Sequence, residues 1–77
     1  MHADVRVDAS GTWCPIPILR LAKAVRPLGP GVLVELVATD PGVQKDLPAW
    51  CEATGHRLLG LERQEASWVA WVRTAGG

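Results

Sequence analysis

The sequence predicts a two-layer α/β sandwich: a mixed four-stranded sheet carrying two helices on one face. Three observations lead there. The chain has 77 residues, enough for one thin core, because a chain of this size hides only about 60% of the surface its unfolded form exposes. Hydrophobic residues make up 48% of it, which excludes intrinsic disorder. The apolar pattern also switches between strand and helix periods in the order β-α-β-α-β-β, and right-handed crossovers put both helices on the same face. One domain is expected over residues 1–77, with its core from about 5 to 73.

The elements follow in order. Asp4 to Asp8 alternates polar and apolar residues, with Val5 and Val7 on one face, and reads as a short strand. Ala9-Ser10-Gly11-Thr12 is a turn. Pro15 and Pro17 open a helical pattern in which Ile18, Leu21, Ala22 and Val25 form one apolar face. Pro27, Gly29, Pro30 and Gly31 end it. Val32 to Ala38 is aliphatic and β-branched, a mostly buried strand. Asp40 at the N-cap and Pro41 at the first helical position start a second helix, with Val43, Leu47, Trp50 and Cys51 facing the core. Pro48 inside this pattern predicts a kink or an irregular first turn, and Gly55 ends the helix. Arg57 to Glu62 and Trp68 to Arg73 are strands joined by a hairpin over Arg63 to Ser67. In the last strand both faces are apolar, which leaves a Trp over the sheet edge or on the open face. The latter would suit docking or dimerisation.

Charge and composition exclude whole classes of function. Lys+Arg and Asp+Glu each count 8, for a net charge of zero, whereas a general nucleic-acid binder shows a basic excess. No apolar run approaches the roughly 20 residues of a membrane span. No secretory signal is visible after Met1-His2-Ala3-Asp4, so a cytoplasmic location with reduced thiols is expected. Two cysteines cannot staple a fold. No C-x-x-C is present, and Cys14, Cys51, His2 and His56 match no compact zinc spacing, so neither a metal nor another cofactor is expected. His56, opening a strand, is expected at the surface.

The chemistry concentrates in Gly11-Thr12-Trp13-Cys14-Pro15-Ile16-Pro17. Cys14 lies at or next to the N-cap of the first helix, where the helix dipole lowers a thiol pKa. Pro15 at the first helical position and Pro17 at the third remove N–H donors and fix the backbone, leaving only Ile16 to hydrogen-bond the sulfur. A rigid thiol, lightly hydrogen-bonded and therefore reactive, is expected. Between Asp8 and Glu35 there is no acid, while Arg20, Lys23 and Arg26 are basic. Trp13, Ile16 and Leu19 share the outward side with Arg20 and Lys23, an apolar patch ringed by positive charge and suited to an acidic partner. Cys51 sits at a helical core position and reads as structural.

These residues resemble the small sulfur-carrier proteins of the TusA (SirA-like) family. Cys14-Pro15-Ile16-Pro17 is similar to that family's Cys-Pro-x-Pro signature, with Asp8 and Gly11 at the expected distances before it. Pro30-Gly31, Asp40-Pro41 and Asp46-Leu47-Pro48 match as well, and the resemblance runs from about Val5 to Arg73. It implies a sulfurtransferase that carries sulfane sulfur as a persulfide on Cys14, the catalytic residue, with Gly11, Pro15 and Pro17 shaping the motif. It implies a cysteine desulfurase or rhodanese-like donor and a downstream acceptor, in tRNA thiolation, cofactor assembly or sulfur metabolism. No membrane and no direct nucleic-acid partner are expected, and the protein would be a monomer or weak dimer. Many relatives carry a basic residue before the cysteine and an acidic one between the prolines; here Trp13 and Ile16 stand there. The alternatives are a binding or regulatory module of the same fold, a nucleic-acid-binding domain, and a redox-sensing thiol.

Overall fold

The computed structural model describes residues 2–76. The elements run β1 (Val5–Ala9), α1 (Ile16–Val25), β2 (Pro30–Ala38), α2 (Val43–Thr54), β3 (Arg57–Gln64) and β4 (Ser67–Ala75). The sheet order is β1-β2-β4-β3. β1 pairs parallel to β2, and β4 pairs antiparallel to both β2 and β3. The sheet is therefore mixed, and two helical crossovers, β1-α1-β2 and β2-α2-β3, build it.

Strand alternation separates the two faces of the sheet. Val7, Ala9, Val34, Leu36, Ala38, Ala70 and Val72 point to the helices and share one core with Leu21, Val25, Val43, Leu47 and Cys51. Leu21, Leu47, Val34 and Val72 are completely buried. Burial pushes the Cys51 thiol up to about 11, so it stays protonated and inert at neutral pH. Both cysteines are free thiols.

The opposite face holds a cross-strand row. Arg6 pairs with Glu35 at 3.3 Å, and the Trp71 indole N–H donates to Glu35 Oε1 at 3.2 Å. Trp71 lies across Gly60, where an added Cβ would come within 3.2 Å of its ring. Of the two expectations for the last strand, the open face thus takes Trp71. Trp68 packs against the helix-side core. A shallow concavity of about 360 Å³ on the open face is lined by Arg6, Glu35, Val37, Gln64, Glu65, Ser67 and Val69.

Local chemistry moves several expected boundaries. α1 begins at Ile16 with Pro15 as its N-cap, so the prolines stand one position earlier in the helix than expected. α2 begins at Val43 with Gly42 as N-cap, because the Asp40 side chain accepts the Gly42 N–H at 3.1 Å and shapes a turn ahead of the helix. α2 continues through Pro48. Proline removes the hydrogen bond to the carbonyl four residues back, and here the residue is exposed, so water can serve that carbonyl. The β3–β4 hairpin closes more tightly than expected, through Glu65-Ala66, with Glu65 at φ 56°. His56 is buried rather than at the surface. Its Nδ1 accepts the Ala75 N–H at 2.9 Å, and its ring packs 5.0 Å from that of Trp50. A polar ring fits the core there because its buried nitrogen is satisfied by the end of β4.

Candidate functional site

In open parallel α/β sheets, sites form beyond the carboxyl ends of the strands. β1 and β2 are parallel neighbours whose last residues pair, Ala9 with Ala38. The β1–α1 and β2–α2 loops must therefore lie side by side, and Cys14 stands between them.

The β1–α1 loop is held by a series of short bonds. The Ser10 N–H donates to Asp8 Oδ1 at 2.9 Å, and bonds from Ser10 hold the Asp8 carboxyl below the usual carboxylate range. Gly11 turns the chain at φ 76°, a conformation that favours glycine, and its N–H donates to Thr39 Oγ1 at 2.8 Å. The Thr12 hydroxyl donates to the Ala9 carbonyl at 2.7 Å. The Cys14 N–H then donates to Asp40 Oδ2 at 2.6 Å. Asp40 is only 7% exposed. Its two oxygens join the loop before α1 to the turn before α2.

The Cys14 side chain is exposed, as an accessible thiol requires. It donates to Asp46 Oδ2 at 3.0 Å. Asp46 lies in the first turn of α2, where the helix N-terminus favours an acid. This hydrogen bond, the thiol's partial desolvation and the nearby Asp46 and Asp40 charges raise the Cys14 pKa. The structure thus corrects the sequence expectation of a lightly bonded thiol with a lowered pKa. The expectation of locally cationic surroundings is corrected as well, since Asp40 arrives from the turn before α2 and Asp46 from its first turn. The Ile16 N–H, expected to serve the sulfur, donates to the Trp13 carbonyl at 2.8 Å instead.

The expected patch is present at the surface. Trp13 is 71% exposed, Leu19 56% and Ile16 40%, and Arg20 and Lys23 are exposed beside them. Arg20 is tethered, its Nη1 donating to the Asp8 carbonyl at 3.1 Å. Pro17, by contrast, is buried and anchors the start of α1 in the core. Asp40 and Asp46 are the site residues that sequence reasoning left out of the site. Parallel pairing of the first two strands was the available signal, because it brings their following loops together. Among the described residues no three His, Cys, Asp or Glu side chains are grouped to hold a metal ion.

Asp40→Ala removes both acceptors that join the loops. It should cost about 2 kcal/mol of stability, the range for hydrogen bonds to a charged group. Chemical denaturation measures this. A cost within about 0.5 kcal/mol of zero, the range of an inert surface change, would mean that Asp40 does not hold the loops together.

Comparison with known proteins points the same way. The family model described as Sulfurtransferase TusA matches residues 5–74. The chain is 39% identical over 70 residues to the sulfur carrier protein TusA of Pseudomonas entomophila (strain L48), covering 91% of this chain and 88% of that one. It is 37% identical over 73 residues to the protein of the same name from Pseudomonas syringae pv. syringae (strain B728a), covering 95% and 87%. The crystal structure of a SirA-like protein from Desulfitobacterium hafniense superposes with a TM-score of 0.79 at 26% identity, over 92% of this chain and 97% of that chain. With an exposed cysteine between two parallel-strand loops and a family match across nearly its whole length, this chain belongs to the TusA family of sulfur carrier proteins.

Proposed function

We propose that the protein carries sulfane sulfur as a persulfide on Cys14, taking it from a donor protein's persulfide and passing it to an acceptor thiol. The observation that carries this reading is the exposed Cys14 thiol on a loop fixed by Gly11, Thr12, Asp40 and the buried Pro17. Loading is a displacement. The Cys14 sulfur, its proton released, attacks the outer sulfur of the donor persulfide. A new S–S bond forms at Sγ, the donor's S–S bond breaks, and the donor cysteine leaves as a thiolate that takes up a proton. No net oxidation occurs and no resident cofactor is needed, because the sulfur itself is the cargo. Release runs the same step with the acceptor as nucleophile.

The donor is of the cysteine desulfurase or rhodanese-like type. The acceptor belongs to a relay in tRNA thiolation, cofactor assembly or sulfur metabolism, in the cytoplasm. Contact with either is brief, and the exposed surface of Trp13, Ile16, Leu19, Arg20 and Lys23 suits a small, transient interface with a partner that offers an apolar pocket and acidic rim. Trp13 and Ile16 replace the charged residues common at these positions in relatives, so docking here leans on apolar contact.

Intact mass measurement after incubation with a cysteine desulfurase and L-cysteine should show one added sulfur, removable by a thiol reductant. It should be lost in Cys14→Ser and kept in Cys51→Ser. Full biological function in Cys14→Ser would instead assign the domain to binding or regulation. Trp13→Ala should lower kcat/KM for loading about tenfold, the scale of a lost aromatic anchor, without changing stability. Unchanged loading kinetics would place the docking surface elsewhere.

A further inference from the structure

We propose that Asp46 biases the carrier toward release: its carboxylate stabilises the empty Cys14 thiol relative to the loaded persulfide anion. This inference rests on the persulfide reading above. The empty thiol has a proton to donate, and the structure aims it at Asp46 Oδ2 from 3.0 Å. A loaded Sγ is bonded to a second sulfur and has no proton, so the same geometry holds no hydrogen bond. The terminal sulfur, more acidic than a thiol, carries a negative charge close to the carboxylate. One residue thus favours one state and disfavours the other.

The charges around Sγ support the bias. Asp40 adds a second negative charge, its Oδ2 on the Cys14 N–H at 2.6 Å. Among the described residues no Lys, Arg or His lies within 4.0 Å of the Asp46 carboxylate, and the one ion pair is Arg6 with Glu35. Arg20, the basic residue nearest in the motif, is turned to the Asp8 carbonyl. Among the described residues no ion pair therefore neutralises the Asp46 carboxylate beside a loaded anion, and a docking partner that brings a cation would relieve the repulsion. The site is exposed, so the effect is that of a surface charge pair, about two- to fivefold in an equilibrium constant.

The exchange to be measured is Cys14–S–S⁻ plus glutathione giving Cys14–SH plus glutathione persulfide. The glutathione thiolate attacks the outer sulfur, the Sγ–S bond breaks, and Sγ takes the proton that glutathione released. Atoms and charge balance without an added oxidant. The protein is equilibrated with fixed ratios of glutathione and glutathione persulfide at neutral pH, and the loaded fraction is read by intact mass. Asp46→Asn keeps an oxygen near the thiol but removes the charge. It and Asp46→Ala should favour the loaded form about two- to fivefold more than wild type. Asp46→Glu should stay near wild type, and high salt should shrink the difference by screening. Loading of all four proteins with equal constants would overturn this inference alone. Failure of every protein to take sulfur on Cys14 would overturn the persulfide reading with it.

Discussion

The site depends on one buried carboxylate. Asp40 accepts the Cys14 N–H with one oxygen and the Gly42 N–H with the other. Two loops that are distant in sequence thereby become one rigid edge at the carboxyl ends of two parallel strands. Cys14 is exposed, yet its backbone is not free. That combination is what sulfur exchange demands, since the attacking sulfur must approach along the line of the bond being broken while partners of different shape reach it. Conformational freedom in the loop would have to be removed at each encounter; here the fold has removed it already. Pro17 in the core and Gly11 in its turn act to the same end.

The same arrangement sets the electrostatics. A helix N-terminus lowers a thiol pKa, whereas the Asp46 hydrogen bond and the nearby Asp46 and Asp40 charges raise it; a charged acceptor at hydrogen-bond distance acts more strongly than a half-charge spread over the helix end. The empty protein therefore keeps its thiol protonated. The fall in thiolate fraction is only partly offset by the gain in nucleophilicity that a higher pKa brings. A thiol held in its protonated form is slower toward electrophiles and oxidants than a thiolate would be. Cys51 is inert for a different reason, burial alone.

Local patterns carried much of this in the sequence. The apolar face of α1, the aliphatic β2 and the turn residues around Gly11 and Gly55 gave the element order, because each depends on neighbours in the chain. The cysteine with its two prolines marked the site, and the exposed Ile16 and Leu19 followed from helical periodicity, with Trp13 just ahead of the helix. The electrostatics of the thiol were not legible in the same way. Asp40 and Asp46 reach Cys14 from 26 and 32 residues away, and only the parallel pairing of β1 with β2 makes them neighbours. Read along the chain, the thiol's surroundings are basic; in space they are acidic. His56 was misplaced for a related reason, since its partner is the backbone at the far end of β4. The tight turn at Glu65 lacks the glycine that ordinarily marks such turns, and here the flanking strand pairs impose it.

The central claim is that Asp40 in the turn before α2 and Asp46 in its first turn, and not the helix dipole, govern the thiol. Titrating the Cys14 thiolate by its ultraviolet absorbance in the Cys51→Ser background tests it most directly, with Asp46→Asn alongside. The account predicts a midpoint above that of an ordinary exposed cysteine, falling when Asp46 loses its charge. A midpoint below the ordinary value, unmoved by Asp46→Asn, would contradict it and return control of the sulfur to the helix.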